Sequence, residues 1–155
     1  MYGTSISSSE GCKTSINEAS AYFLLVVLIY LSVVYYIYYE NKVLYGNAKY
    51  TTAIALRNTY GSGNSGVEYR YLVNDSIYLA WDSTSKKALE GANYFIVFDE
   101  KNPKHSSFFV ECPAPDSIKF IPKDGLKEIP IKKYQKYVES YFDDLLNGWL
   151  TQFFP

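Results

Sequence analysis

The chain contains few of the residues on which catalysis and metal binding most often depend. Its 155 residues include one histidine, two cysteines and one methionine. A single histidine, His105, excludes a zinc cluster built from several histidines, and it leaves Cys112 as the candidate for a cysteine–histidine pair. Because no third group is evident to orient such a pair, we predict that the chain is not an enzyme.

An excess of charge of either sign is also lacking. The chain has 15 Lys and Arg residues and 16 Asp and Glu residues, so its formal net charge is −1. A chain this close to neutral has no general attraction for the phosphates of nucleic acid, and we expect no nucleic-acid partner.

Neighbouring acidic residues do occur, but not in a pattern that predicts a metal site or an acid–base pair. Asp99, Glu100 and Asn102 supply too few oxygen ligands at regular spacing for a calcium loop. Asp143 and Asp144 are adjacent, so on a helix their carboxylates point in different directions. We therefore expect neither a metal nor another cofactor.

Aromatic and aliphatic residues are plentiful instead, and the longest apolar run is AYFLLVVLIYLSVVYYIYY at 21–39. As a helix this run would be about 28 Å long, close to the roughly 30 Å hydrocarbon core of a bilayer. We predict a single transmembrane helix in the lipid bilayer. Its ends carry aromatic side chains suited to the membrane interfaces, namely Tyr22, Phe23, Tyr35, Tyr36, Tyr38 and Tyr39.

Two alternatives to a membrane anchor have less support. A small soluble domain rarely needs so long an apolar core helix, and a cleaved signal peptide would carry more basic residues than Lys13 and a small-residue cleavage site. The positive-inside rule, applied to Lys42, Lys49 and Arg57, places the C-terminal domain in the cytoplasm. Short N-terminal tails of single-span bacterial proteins usually stay inside, which points the other way, and we favour a domain outside the cytoplasm.

Residues 61–66, GSGNSG, match the dinucleotide-binding pattern G-x-G-x-x-G. That pattern binds a pyrophosphate only where the glycine turn leads into a helix, whose first N–H groups receive the anion. Here the glycines precede residues 67–73, VEYRYLV, which alternate as a half-buried strand does. We therefore predict a hairpin loop and no bound nucleotide.

The middle of the chain predicts about five short strands. Ile77, Leu79 and Trp81 continue the alternation after a turn at Asn74 and Asp75, and two further apolar runs follow near 92–100 and 107–112. We predict a small antiparallel β-domain at 43–112, a meander or half-barrel, after a flexible polar tail at 1–20 and the anchor. A proline-rich connector follows it at 113–130.

Residues 131–154 change to a helical period and predict an amphipathic helix with the stripe Ile131, Tyr134, Val138, Tyr141, Leu145 and Trp149. This stripe either covers the open face of the β-domain or contacts a partner. Lysines lie in the first turns, where the helix dipole disfavours positive charge and an acidic partner or anionic lipid would compensate it. The candidate partner contacts are these lysines and the large apolar residues at the end of the helix, namely Lys132, Lys133, Lys136, Trp149, Leu150, Phe153 and Phe154.

An ordered set of residues in 46–107 resembles a group of small bacterial membrane proteins of uncharacterised function. The pattern is Tyr-x-Tyr-x-Val, a turn, a Tyr, Gly-x-x-Tyr-x-Val and Asn-Pro-x-x-Ser. The matching residues are Tyr69, Tyr71, Val73, Tyr78, Gly91, Tyr94, Ile96, Asn102, Pro103 and Ser106. Phe98 stands where a second Tyr is common, and the C-terminal helix lies outside the pattern. The resemblance implies a tyrosine-rich β-domain held at a membrane, and it implies no activity.

These observations together predict a non-enzymatic accessory or interaction subunit of a larger membrane complex, anchored by one span in the bacterial inner membrane. The alternative is a membrane-tethered sensory module, in which the β-domain binds a small molecule or a peptide between aromatic side chains.

Overall fold

The computed structural model describes the backbone of residues 11–60, 65–118 and 120–153, and the side chains of 20–60, 65–118 and 120–148. The chain divides into two compact units between Tyr39 and Glu40. The described residues of the first unit belong to one long helix, and the second unit holds the end of that helix, a β-sheet and a C-terminal helix. This arrangement confirms the predicted fold class.

Helix α1, Gly11–Gly46, contains the whole of the predicted apolar run. From Ser20 to Gly46 it is long and apolar enough to cross a membrane, and none of its most apolar window is buried in protein. It is longer than the predicted span because no glycine or proline lies between Gly11 and Gly46 to stop it. The helix includes residues 11–20 of the predicted polar tail, and residues 1–10 lie outside the described part.

The β-domain is one antiparallel sheet with the strand order β3-β2-β1-β4-β5. The two-residue turn between β2 and β3 was predicted correctly, since Asn74 and Asp75 both have positive φ, at 49° and 61°. The strands are β1 (Ala48–Tyr60), β2 (Ser65–Val73), β3 (Ser76–Ser83), β4 (Asn93–Asp99) and β5 (Ser106–Pro113).

The glycine-rich segment joins β1 to β2, as the hairpin prediction required. Tyr60 and Ser65 are paired at the ends of the two antiparallel strands, and the loop residues 61–64 lie outside the described part. A strand rather than a helix follows the glycines. The geometry on which the dinucleotide-binding pattern depends is therefore not formed.

The sheet curls so that its two edge strands, β3 and β5, approach each other. The connection at 84–92 carries the chain past β1, and β4 then pairs with the side of β1 opposite to β2. Oδ2 of Asp82 on β3 accepts hydrogen bonds from Ser107 Oγ at 2.9 Å and from the Phe108 backbone N–H at 2.8 Å on β5. This side-chain bridge closes the sheet towards a half-barrel.

Two apolar clusters lie on opposite faces of the sheet. The concave face holds the aromatic interior, which includes Tyr69, Tyr71, Tyr94, Ile96, Phe98 and Phe108. The opposite face is covered in part by helix α2 (Lys132–Phe153), whose Val138 and Phe142 are fully buried against Phe95, Val97 and Phe109. The prediction that the helical stripe covers the β-domain is confirmed for the described residues, although it missed Phe142 and included the half-exposed Tyr141.

Helix α2 covers only one half of the outer face. In the described part of the chain, the cluster beneath it takes residues from β1, β4 and β5, and none from β2 or β3. The outer face of β2 and β3 is left in solvent, and the side chains on that face decide what it can contact.

Candidate interaction surface

Strand β3 presents its large apolar side chains to solvent. Ile77 is 67% exposed, Leu79 is 72% exposed and Trp81 is 50% exposed. The predicted alternation is correct, but these residues form the outward set, while Tyr78 and Ala80 pack against the interior cluster. We call Ile77, Leu79 and Trp81, with the neighbouring half-exposed Leu72 of β2, the β3 edge surface.

The backbone groups of the same residues point away from the rest of the sheet. Because a two-residue turn closes the β2–β3 hairpin, the flanking residues Val73 and Ser76 form a hydrogen-bonded pair. The even-numbered residues of β3 therefore bond to β2, and the odd-numbered residues Ile77, Leu79 and Trp81 direct N–H and C=O outward. No strand in the described part of the chain pairs with this edge.

Trp81 is held in place by two neighbours. Its indole Nε1–H donates to Thr59 Oγ1 at 2.8 Å. Its ring lies over Gly66, where a Cβ atom would come within 2.5 Å of the ring carbons. The glycine thus provides the space that the indole occupies, and this end of the β3 edge surface has a fixed shape.

Arg70 lies beside the apolar residues of this surface. Arg70 of β2 is opposite Leu79 on one side and Ile54 on the other. It has no ion pair with any residue that the structure describes, whereas Arg57 bonds to both carboxylate oxygens of Glu68 at 2.7 and 2.9 Å. A hollow of about 390 Å³, lined by Thr52, Ile54, Arg70, Tyr71, Leu72, Ile77 and Asn93, lies on this face.

A smaller cavity of about 190 Å³ lies where β3 and β5 meet α2. Burial raises the pKa of Asp82 there, and the hydrogen bonds from Phe108 and Ser107 act in the opposite direction. Burial, with Glu111 beside it, raises the pKa of Tyr137 to about 12. Among the described residues, no buried side-chain nitrogen or oxygen lacks a hydrogen-bond partner, so this cluster is internally satisfied.

Tyrosines of the ordered sequence pattern in 46–107 form part of the interior. The Tyr71 hydroxyl donates to the Pro103 carbonyl, and Ser106 Oγ lies 3.0 Å from the hydroxyl oxygens of both Tyr69 and Tyr71. Tyr69 and Tyr71 stack with ring centroids 5.8 Å apart. These positions belong to the sequence pattern, and in the structure they pack in the interior with their hydroxyl groups hydrogen-bonded.

The predicted anchor aromatics do not pack in a core. Tyr22, Phe23, Tyr35, Tyr36 and Tyr39 are exposed. Tyr38 is partly exposed. These exposures suit a helix whose surroundings are lipid, which is the environment the sequence predicts.

The predicted partner contacts of α2 are placed only in part. Lys132, Lys133 and Lys136 are exposed. The side chains of Trp149, Leu150, Phe153 and Phe154 lie outside the described part of the chain. The role of both groups in binding stays a prediction.

The histidine and the described cysteine have separate surroundings. His105 Nε2 lies 3.6 Å from the carboxylate of Glu40. Cys112 is fully buried, and burial raises the pKa of its thiol to about 12, which suppresses the reactive thiolate. Within the described residues, no three metal-ligating side chains come together.

No protein-family model, curated protein or solved structure matches this chain. The resemblance described from the sequence therefore stays a prediction.

Proposed function

We propose that this chain is a single-pass, non-enzymatic interaction protein of the bacterial inner membrane. Helix α1 anchors it, the β-domain lies outside the cytoplasm, and the β3 edge surface contacts a larger membrane complex. The observation that carries this proposal is the exposure of Ile77, Leu79 and Trp81 on an edge strand.

Exposed apolar residues on a sheet edge are unusual in a protein that works alone. Free edge strands template aggregation, and natural proteins protect them with lysine, proline, bulges or a cover. The strand β3, SIYLAWDS, has no lysine or proline, and its pairing with β2 has no bulge. Burying side chains of this size in an interface contributes about 1.5–3 kcal/mol each, so a partner surface is the natural use of this edge.

Mild detergent extraction from native membranes tests the proposal. We expect the full chain to co-purify with a larger membrane protein in fixed stoichiometry. Leu79→Thr should weaken the association, because it removes apolar area while retaining a residue that favours strands. Leu89→Thr is the matched control, since Leu89 is 73% exposed on the connection after β3. Migration of the wild-type chain as a lone monomer would contradict the proposal.

A second candidate function is a membrane-tethered sensory module, and the cavity beside Asp82 favours it. Asp82 and Glu111 line this cavity together with Tyr137 and Tyr141, so a small cation is the ligand that it would suit. A thermal-shift screen of the full chain in detergent against small amines tests this function. A saturable rise in Tm that Asp82→Asn abolishes would support it, and no rise at any concentration would reject it.

A further inference from the structure

We infer that β3 binds an extended segment of a different protein, which adds to the sheet as one more strand. This inference rests on the proposed function, because it names the class of partner that the β3 edge surface takes. In strand addition, main-chain hydrogen bonds supply affinity and alternate side chains supply selectivity. The same three residues of β3 offer both outward main-chain groups and exposed side chains.

Outward-facing backbone groups and exposed apolar side chains occur on the same residues of β3. Ile77, Leu79 and Trp81 direct their N–H and C=O groups outward, and each is at least half exposed. A lipid surface would bury the side chains and leave those backbone groups without partners. An extended polypeptide satisfies the backbone and covers the side chains at once.

Other contacts limit the β3 edge at both of its ends. Near its C-terminal end, β3 approaches β5, and the Asp82 carboxylate takes the Phe108 N–H that a further strand would otherwise bond. At its N-terminal end, Lys123 bonds to Asp75 in the turn at 2.7 Å. The available edge therefore runs from Ile77 to Trp81, which is enough for a short strand.

A second copy of this chain fits the β3 edge less well than a different protein does. Two β3 strands related by a two-fold axis would pair antiparallel and would share one outer face. That face would carry two Arg70 side chains, and the carboxylate that β2 holds there, Glu68, already bonds to Arg57.

Charge further defines the partner. Arg70 lies two strands from the added segment, on the face that the body of a bound protein would cover, and it has no ion pair among the described residues. Burying an unpaired guanidinium is costly, so the partner surface facing Arg70 carries an acidic residue. The occupant is therefore an extended segment with alternating apolar residues, from a protein with a carboxylate nearby.

A synthetic peptide of alternating valine and threonine, eight residues long as β3 is, tests strand addition directly. We expect saturable binding to the full chain in detergent micelles, measured by fluorescence anisotropy. In amide hydrogen exchange, the peptide should slow Ile77, Leu79 and Trp81, and leave Tyr78 and Ala80 unchanged because they already bond to β2. An N-methylated twin of the peptide, unable to bond along one edge, should not bind.

Leu79→Pro is the matching change in the protein. Proline removes the outward N–H of residue 79, and because that group does not bond to β2, the ladder is retained. We expect this variant to bind the peptide at least about tenfold more weakly. Leu79→Thr, which keeps the N–H, should lose less, and Leu89→Thr should bind as the wild type does. If Leu79→Pro does not fold, Leu79→Thr and the N-methylated twin decide the question.

Three results would overturn the inference: no peptide binding by the folded wild-type chain, equal binding of the N-methylated twin, or a Leu79-dependent dimer in analytical ultracentrifugation. These results differ from a failure of the proposed function, in which the chain would have no membrane partner at all. A stoichiometric partner that Leu79→Pro does not displace would reject strand addition and leave the proposed function standing.

Discussion

At the scale of single residues, the shape of the β3 edge depends on a contact between a glycine and a tryptophan. A Cβ atom on Gly66 would come within 2.5 Å of both the Trp81 ring and the Asp82 carbonyl oxygen. The backbone oxygen cannot move aside as a flexible side chain can, so a methyl group there must displace the hairpin or the indole.

We predict that Gly66→Ala lowers the free energy of unfolding by about 1–3 kcal/mol, the usual cost of overpacking. Urea denaturation of the full chain in detergent, followed by circular dichroism, measures this change. Gly46→Ala is the matched control, because nothing lies within 4 Å of a Cβ at Gly46. Equal stability of the two variants would show that Trp81 does not occupy the place described.

Asp82 makes the stability of the β-domain depend on pH, and the sign of this dependence follows from the direction of its pKa shift. Burial raises its pKa above the ordinary 3.8. The unfolded chain releases this proton more readily, so the stability linked to Asp82 is full below pH 3.8 and is lost as pH rises through the raised pKa. Asp82→Asn cannot ionise, and we predict that its stability relative to wild type improves as pH rises towards neutrality. Urea denaturation at a series of pH values measures this, and a difference that does not change with pH would contradict it.

The sequence predicted which residues of β3 share a face, but it did not predict which face is buried. A period of two divides a strand into two sets, and the apolar set is usually the buried one. In β3 the inward set is Tyr78, Ala80 and Asp82, because the curled sheet encloses that side. In the described part of the chain the outward apolar set has no cover because α2 packs on β1, β4 and β5, and this depends on contacts between elements distant in sequence.

At the scale of elements, α2 is the helix whose packing on the sheet is most easily tested. Phe142 of α2 is completely buried against the sheet, and Phe120 in the preceding connector is 81% exposed. We predict that Phe142→Ala destabilises the fold by about 3–5 kcal/mol, because it leaves a cavity in the core. Phe120→Ala makes the same chemical change with an effect within about 0.5 kcal/mol. Similar values from thermal or urea denaturation would show that α2 does not cover the sheet.

The existence and type of the elements could be predicted from the sequence, whereas their pairing could not. Alternation and turn residues identified the five strands, and the helical stripe identified α2. The order of the strands depends on β1 pairing with β4 across the connection at 84–92, and no local signal specifies that pairing. The end of α1 was misplaced because Glu40–Gly46 is polar in part, yet it remains helical and buries Leu44 against the β-domain.

At the scale of the whole molecule, the side of the membrane on which the β-domain lies is open to a labelling experiment. Ser85 is exposed on the connection after β3, and Cys112 is buried with a raised thiol pKa. In a Cys12→Ser background, we predict that Ser85→Cys reacts with a membrane-impermeant maleimide in intact cells whose outer membrane has been permeabilised. Labelling that occurs only after lysis would place the domain in the cytoplasm.

The proposed function requires that α1 lies in lipid and is retained in the mature protein, so that the β-domain is held at a membrane. Alkaline carbonate extraction of native membranes, with an intact-mass measurement of the extracted protein, tests this requirement. We predict that the chain stays in the membrane pellet and that its mass includes residues 20–46. A water-soluble monomer in the supernatant, or a mature chain lacking that helix, would contradict it.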